Sequence, residues 1–364
     1  MQLKKILDAL ENFAPLANAE DFDNVGLLVG NRDTEVTGIL VTLDTLEATV
    51  DEAIATKCNL IVSFHPIIFS GLKKITGKNY VERVVLKAIK NDIAIYAIHT
   101  ALDNVPHGVS KGMCDVLNLI NRKVLISKSR VIKKLTTYVP HKNLEEVRQA
   151  LFNAGAGNIG NYEECSFSLE GSGTFKGNEN SNPVIGTKGM LHTEAETQLN
   201  LMFESRLESR ILSALFASHP YEEVAYELMT LDNNNQLVGM GMLGDLPEAL
   251  DEGAFLEFVK TGFNAKGIRH STKLNKQIKR VAVLGGSGSF AIEAAKAAGA
   301  DALITADLKY HQFYQAENQI LLVDIGHYES EQYTKNILAD FLTKKFTNFA
   351  VVLSQENTNP IKYL

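Results

Sequence analysis

The chain has 364 residues, a length that accommodates two or three domains and a substantial buried core. Hydrophobic residues make up 45% of the sequence and charged residues 22%, proportions that exclude a disordered chain. The net charge of −7, with scattered lysines and arginines, argues against nucleic acid as a partner. No apolar run approaches the roughly 18 residues that a membrane span requires, so we expect no membrane partner either.

The N-terminal segment 1–16 predicts an amphipathic helix, because apolar residues from Leu3 to Leu10 recur at helical spacing between acidic ones. Such a segment differs from a signal peptide. The cysteines, Cys58, Cys114 and Cys165, are widely spaced and form no C-x-x-C motif, which argues against disulfides and against a thiolate metal site. We therefore expect a cytoplasmic protein with free thiols.

Residues 38–69 predict a strand, a helix and a second strand, because two β-branched runs flank a stretch with alanines and acids at helical spacing. A further helix is predicted at 81–90, and a third strand from Ile93 to Ile98 leads directly into His99. This alternation predicts a mostly parallel sheet with helices on both faces. Ligands of such sheets bind at the carboxyl ends of the strands.

The last third of the chain repeats this plan, with predicted strands at RVAVLGGSG, DALITAD and QILLVDIG and helices at FAIEAAKAAGA and near Tyr310 to Ala316. In the first part His99 precedes Asp103 by four residues, and here His327 precedes Glu331 by four. We interpret this correspondence as a degenerate internal repeat whose two halves face each other across one cleft. The alternative is that two short α/β segments resemble each other only in composition.

Residues from about 130 to 235 follow a different plan. The predicted order is a strand at LTTYVP, a helix at NLEEVRQALFNAG, a Gly- and Asn-rich loop, a strand at ETQLNLMFE, a helix at SRLESRILSALFASH and a strand at VAYELMTL. Two β-α-β units of this kind predict a ferredoxin-like α+β module. We expect it, as residues 129–236, to interrupt a discontinuous three-layer α/β domain made of two similar halves, 1–128 and 237–364.

Polar side chains follow the ends of several predicted strands, where a rigid backbone could hold a metal ion. His65 follows the strand NLIVSF, Asp103 lies just beyond His99, and His327 and Glu331 follow ILLVDIG. Two imidazoles and two carboxylates suit zinc, manganese, iron, cobalt or nickel, and a glutamate could bridge two such ions. The alternative is that these are hydrogen-bonded side chains of the core or rim.

A glycine-rich turn lies between the strand RVAVL and the helix that follows it. Gly286, Gly288 and Ala291 match G-x-G-x-x-A, and Asp307 follows about twenty residues later, as in a dinucleotide-binding fingerprint. The alternative is a tight turn beside the cleft. Such a turn could still hold a substrate phosphate, in which case Gly286, Ser287 and Gly288 would contact it.

Three polar residues are candidates for proton transfer. Asp307 and His311 belong to a cluster after the strand DALIT, and His311 is the natural acid or base by its ordinary pKa. The alternative for this cluster is a solvated loop with a helix cap. His99 is the third candidate, either for proton transfer or for orienting Asp103.

Several motifs together resemble the GTP cyclohydrolase I type 2 homologue family, also called NIF-three-like. The middle segment resembles the longer bacterial members, which carry an inserted PII-like or CutA-like module. The motifs are FDNVGLLVG at 22–30, TLD at 42–44, HPIIFSGLK at 65–73, HTALDNVPHG at 99–108, NAGAGNIGNYEECSF at 153–167, GSGTF at 171–175, HPYEEVAYE at 219–227, LGGSGS at 284–289, ITADLKYH at 304–311 and GHYESE at 326–331.

The resemblance implies a dinuclear metal centre, most often zinc, and a ring-shaped homohexamer. It implies that His65, Asp103, His327 and Glu331 are ligands and that the glutamate bridges the two ions. The family has two consecutive histidines before the proline, whereas this sequence has Phe64 at the first of them. Because phenylalanine cannot coordinate a metal, we expect one well-occupied divalent metal ion per subunit and a second that is weak, absent, or completed by water or His99.

Two functions are consistent with these features. The first is a GTP cyclohydrolase-like, metal-dependent hydrolysis of a nucleotide or phosphorylated small molecule. The second is a non-catalytic metal-binding or regulatory oligomer that senses a small molecule through the inserted module.

Overall fold

The structure is a computed structural model that describes residues 1–364. The strands are β1 Gly26–Val29, β2 Ile39–Thr42, β3 Leu60–Ser63, β4 Ala94–Ala97, β5 Ile120–Ser129, β6 Ile132–Pro140, β7 Ser166–Phe175, β8 His192–Glu204, β9 Tyr226–Leu231, β10 Asn234–Asp251, β11 Arg269–His270, β12 Gln277–Ser287, β13 Ala302–Ala306, β14 Leu321–Asp324 and β15 Val351–Leu353. The α-helices are α1 Leu3–Phe13, α2 Glu47–Ala55, α3 Tyr80–Lys90, α4 His99–Asp103, α5 Val109–Val116, α6 Leu144–Asn153, α7 Glu208–Ser218, α8 Glu252–Gly262, α9 Ile292–Ala297, α10 His327–Glu331 and α11 Thr334–Lys345.

The chain forms two compact units. The first unit combines Met1–Ile126 with Val238–Leu364, and the second unit is Ser127–Leu237. Mixed α/β structure with several sheets, the fold class predicted from the sequence, is therefore what the chain adopts. None of the helices combines the length and the apolar character needed to cross a bilayer.

The first sheet of the first unit has the strand order β1-β4-β3-β2-β15. Strands β15, β2, β3 and β4 are parallel to one another, and only β1, which pairs with β4, is antiparallel. Every residue of β2, β3 and β4 is buried, because α1 and α11 cover one face and α2 and α3 cover the other. The predicted parallel sheet with helices on both faces is confirmed, and the end of the chain supplies its last strand.

The second sheet of the first unit has the order β11-β14-β13-β12-β10-β5, with β12, β13 and β14 parallel. Helices α5 and α8 pack on one face and α9 on the other. The helix predicted after the glycine-rich turn is shorter than expected, because a 3-10 turn at Ser289–Ala291 precedes the six-residue α9. The helix predicted near Tyr310 is a 3-10 helix, Tyr310–Ala316.

The repeated His-x-x-x-acid pattern corresponds to one turn of helix at the end of a strand in each half. Strand β4 leads into α4, which begins at His99 and ends at Asp103. Strand β14 leads into α10, which begins at His327 and ends at Glu331. The two patterns therefore occupy corresponding places in the two sheets.

The second unit has the element order β6-α6-β7-β8-α7-β9 and an antiparallel sheet in the order β7-β8-β6-β9. Its core lies between one face of the sheet and the two helices. The sequence analysis missed β7, which pairs with β8 over its whole length. Its residues, SFSLEGSGTF, are rich in serine and glycine and mostly exposed, so they lack the apolar alternation that indicates a strand.

Candidate metal centre

Three of the predicted ligands come together in the first unit. His65 lies two residues beyond β3, and His327 and Glu331 begin and end α10. Their ligand atoms all lie within 4.8 Å of one another, close enough to hold a metal ion. The strand ends of the two halves therefore meet at one site.

Glu331 is the centre of this group, and its side chain is only 4% exposed. Its Oε2 lies 3.1 Å from Nε2 of His65 and 3.1 Å from Nε2 of His327. Neither contact has hydrogen-bond geometry, so this buried oxygen has no hydrogen-bond donor. Burial opposes ionisation, but the two imidazoles lower the pKa of Glu331 to about 2.

Two aspartates fix the orientation of the imidazoles. Oδ1 of Asp44 lies 2.8 Å from Nδ1 of His65, and Oδ2 of Asp307 lies 2.7 Å from Nδ1 of His327. In a neutral imidazole, a proton on Nδ1 that is donated to the aspartate leaves the Nε2 lone pair directed at Glu331 and available to a metal. This carboxylate–histidine arrangement is the one that supports metal-ligating imidazoles in proteins.

The donor set fits a divalent metal. Two Nε2 atoms and one carboxylate oxygen that lacks a donor are the ligand types that zinc and neighbouring metals prefer. Burial lowers the pKa of both imidazoles, but the flanking carboxylates outweigh it and raise the pKa of His65 to about 9 and that of His327 to about 11. The site therefore favours positive charge between its carboxylates, which a divalent cation would provide.

Asp103, the fourth predicted ligand, ends α4 beside this group but lies outside the set of three. Burial and the charge of Glu331 raise its pKa well above the usual value, and His65 and His327 oppose this rise only in part. Among the hydrogen bonds of the structure, none is donated to its carboxyl group by a side chain. The carboxyl is therefore free to act as a further ligand.

Phe64 is fully buried, and its ring lies against two histidines. The ring centroids are 4.9 Å apart from Phe64 to His65 and 5.4 Å apart from Phe64 to His99. The position at which the resemblance implies a second histidine is thus occupied by a hydrocarbon ring within the core of the first sheet.

His99 begins α4 in a backbone conformation that side chains rarely adopt, with a φ of +25°. Oδ1 of Asp23 lies 2.8 Å from its Nδ1, and the other oxygen of Asp23 accepts hydrogen bonds from the backbone and hydroxyl of Thr100. Burial opposes ionisation of Asp23, but these partners lower its pKa to about 2. The His99 ring lies edge-on to His65 at a centroid distance of 5.3 Å, so it borders the site.

The glycine-rich turn packs directly on Glu331. A Cβ at Gly286, whose φ is +66°, would lie 2.4 Å from Oε1 of Glu331, so only glycine allows this approach. The N–H of Gly286 donates to Oγ of Ser330, that of Gly288 donates to the Ala306 carbonyl, and Oγ of Ser287 donates to Asp307. Close packing thus accounts for the glycines that resemble a dinucleotide fingerprint.

The structure separates the two members of the predicted proton-transfer cluster. Asp307 supports His327 and accepts from Ser287, which lowers its pKa to about 2. His311 is exposed on the 3-10 helix, where its ring lies against those of Tyr310 and Tyr314. His311 therefore does not lie among the side chains of the metal centre.

Sequence reasoning missed Asp44, Asp23 and the C-terminal tail, residues 355–364. Asp44 follows β2 as Asp307 follows β13, so its place at the end of a buried strand was the available signal. In the tail, Oγ1 of Thr358 donates to Oδ2 of Asp44 at 2.5 Å. The tail thereby holds the carboxylate that orients His65.

Proteins of similar sequence are known over the full length of the chain. A protein named GTP cyclohydrolase 1 type 2 homolog from Bacillus subtilis is 37% identical and covers 99% of this chain and 98% of its own. A protein of the same name from Halalkalibacterium halodurans is 36% identical over 99% of this chain and 98% of its own.

Solved structures of similar fold also cover the whole chain. A Bacillus cereus protein related to NIF3 superposes with a TM-score of 0.86 at 36% identity, covering 100% of this chain and 99% of its own. A Staphylococcus aureus protein superposes with a TM-score of 0.80 at 30% identity over the same shares. The model of the Duf34/NIF3 (NGG1p interacting factor 3) family matches residues 1–360, and the chain belongs to that family.

Proposed function

We propose that this chain, whose relatives bear the name GTP cyclohydrolase 1 type 2 homolog, is a metal-dependent hydrolase of a nucleotide or phosphorylated small molecule. The observation that carries the proposal is the buried Oε2 of Glu331, which lacks a hydrogen-bond donor and lies 3.1 Å from the Nε2 atoms of His65 and His327. These three ligand atoms converge without hydrogen-bond geometry between them. A cation at their centre would therefore satisfy them better than they satisfy one another.

His65, His327 and Glu331 would hold the ion, most simply zinc, and Asp103 would be available as a further ligand. A divalent ion in this place would supply Lewis acidity, which hydrolytic enzymes use to activate water and to polarise a substrate oxygen. The protein's own contribution begins with Asp44 and Asp307, which keep both imidazoles in the tautomer and orientation that metal binding needs.

His99 is the residue that would move a proton. Asp23 engages its Nδ1, so Nε2 is the nitrogen available to accept or release a proton at the border of the site. The phosphate contact predicted for Gly286, Ser287 and Gly288 stays part of the proposal. The N–H groups of Gly286 and Gly288 already donate within the protein, so the turn has fewer N–H donors available for a phosphate.

The number of ions follows from Phe64. A second metal position that shared Asp103 and Glu331 would have no imidazole from residue 64, because the phenyl ring is buried in the core. We therefore propose one tightly held ion per chain and a second that is weak or absent.

The remaining parts of the proposal concern architecture and surroundings. We propose that the second unit is a ferredoxin-like module of the PII or CutA type, supported by its β-α-β-β-α-β order and antiparallel sheet. A homohexameric ring and a cytoplasmic location belong to the same proposal, and three free cysteines are consistent with a reducing compartment. Light scattering coupled to size exclusion tests the hexamer.

The test of function measures metal content and turnover together. Purified chain is assayed against GTP, other nucleotides and sugar phosphates, beside Glu331→Gln and the control Glu293→Gln, which changes an exposed glutamate. We expect Glu331→Gln to lose both the bound metal and turnover, and Glu293→Gln to keep both. Turnover that survives Glu331→Gln would exclude chemistry at this centre, and metal binding without any turnover would favour a regulatory role.

A further inference from the structure

The second unit contains a cavity of about 660 Å³ that the proposed function does not use. This volume lies within the range of about 300–1,000 Å³ that small-molecule sites occupy. The floor of the cavity is the sheet face that carries Tyr138, Leu169 and Gln198, which are paired neighbours across β6, β8 and β7. The opposite face carries Leu199 and Leu201 and packs under α6 and α7, so the floor is the face without helices.

Glu196 is the main polar group of this cavity. The residue is only 8% exposed, and its Oε1 accepts a hydrogen bond of 2.6 Å from the hydroxyl of Tyr221. Its Oε2 receives no hydrogen bond, and no lysine, arginine or histidine forms an ion pair with the carboxylate, although His219 lies near enough for Glu196 to act on its pKa. A largely buried carboxylate without an ion-pair partner attracts a cation to its accessible oxygen.

Gly173 on β7 makes room for this carboxylate. A Cβ at Gly173 would lie 2.0 Å from Oε2 of Glu196, so any larger residue there would displace the carboxylate. Glycine thus keeps the free oxygen of Glu196 at the wall of the cavity, which both residues line.

Acidic and aromatic side chains contribute further to a lining that also contains small, amide and aliphatic residues. Three further glutamates and a single lysine line the cavity, and one of the glutamates accepts the backbone N–H of Asn182 and so holds the loop that forms one wall. Aromatic rings contribute apolar surface to the same lining. These residues are Glu170, Glu222, Glu223 and Lys176, with the rings of Tyr138, Phe175 and Tyr221.

We propose that this cavity binds a small organic cation, an amine whose ammonium group pairs with Oε2 of Glu196 and whose carbon skeleton lies against the aromatic rings. Ammonium groups are attracted both by carboxylates and by the faces of aromatic rings. The excess of acidic side chains disfavours phosphates and carboxylic acids. The only convergent group of three metal-ligating side chains in the chain is at the other unit's metal centre, which disfavours a bare divalent ion here.

A series of isosteres tests the charge requirement on the unaltered chain. Isothermal titration calorimetry of the full chain in the presence of EDTA compares phenethylamine, neutral 2-phenylethanol and anionic 3-phenylpropionate. We expect the amine to bind and both isosteres to bind at least roughly tenfold more weakly. This is the loss of affinity that follows from removing one charge-assisted hydrogen bond. Equal binding of the alcohol or the acid, or no binding of the amine at millimolar concentration, would overturn the proposal.

Variants then locate the site. Glu196→Gln removes the charge at constant size and Gly173→Ala displaces the carboxylate, so both should weaken amine binding by roughly tenfold or more. Glu146→Gln makes the same charge change on α6, outside the cavity, and should leave binding unchanged. Unaltered affinity in folded Glu196→Gln contradicts the proposal, as does Glu196-dependent binding of Mn²⁺, measured separately without EDTA, in place of the amine. This test measures amine binding and not turnover at the proposed metal centre. Its outcome is therefore independent of the proposed function.

Discussion

The two halves of the first unit position their histidines, His65 and His327, in the same way. In each half an aspartate follows one parallel strand and engages Nδ1 of the histidine that follows the next strand. Asp44 after β2 engages His65 after β3, and Asp307 after β13 engages His327 after β14. A proposed metal ligand and its supporting aspartate thus come from a single pair of neighbouring strands, twice in the chain.

The halves differ in what their one-turn helices contribute. Glu331 ends α10 between two imidazoles, and its pKa is lowered to about 2. Asp103 ends α4 at the corresponding place, and its pKa is raised, because burial and Glu331 outweigh the two histidines. Corresponding positions therefore differ in the direction of their pKa shift because their neighbours differ.

Phe64→His adds an imidazole to the first half and should have the largest effect on the metal content of the chain. An imidazole at residue 64 would complete a second ligand set with Asp103 and Glu331, so the metal content should rise from about one to about two ions per chain. Elemental analysis of folded protein measures the metal content. The control is Phe216→His, which places a histidine at an exposed position in the second unit. Two tightly held ions in the unaltered chain would contradict the comparison at once.

Asp44→Asn and Asp307→Asn test whether the two supports are equivalent. Loss of a carboxylate that orients a ligating imidazole costs about 10–100-fold in metal affinity, and we expect similar losses in both halves. Competition with a chromophoric chelator measures the affinities, and Asp33→Asn at an exposed position is the control. A loss confined to one half would show that the other support is dispensable.

Asp23→Asn tests the third aspartate–histidine pair, which we place outside the ligand set. Because the pKa of Asp23 falls from about 3.8 to about 2 on folding, its contribution of about 2 kcal/mol is present above pH 4 and lost as the pH falls through 2. The free energy of unfolding in urea, without metal, should therefore fall by about this amount at neutral pH and by less in acid. A loss of metal affinity as large as that of Asp44→Asn would instead make His99 a ligand.

Thr358→Val should have the smallest effect on the centre. It removes the hydroxyl that donates to Asp44, so the metal affinity should fall by a few-fold, less than the roughly tenfold of a directly supporting carboxylate. Thr358→Ser keeps the hydroxyl and should restore the affinity, which distinguishes positioning from packing. An affinity that falls equally in both variants would assign the residue to packing alone.

Apolar spacing and β-branched runs predicted the helices and strands whose buried residues recur at helical or strand spacing. The apolar spacing of 81–90 indicated α3, and the β-branched runs around 39–42 and 60–63 indicated β2 and β3. Strand β7 was missed because its order comes from pairing with β8 and its side chains are mostly exposed. A strand defined by its partner leaves little trace in its own sequence.

The candidate site shows the same limit. His65, His327 and Glu331 were identified because each follows a predicted strand, and the structure places them together. Their partners were not identified, since the contact of Asp44 with His65 depends on which strands are neighbours in the sheet. His311 was a candidate by residue type, but its 3-10 helix exposes it at the surface.

Strand β15 has a consequence for the order in which the chain can fold during synthesis. It pairs with β2 and completes the first sheet, although it lies more than three hundred residues further along the chain. The second unit is one continuous segment, so it can fold while its C-terminal neighbour is still being made. The proposed metal centre, by contrast, combines His65 with His327 and Glu331, so its residues can come together only after synthesis is nearly finished.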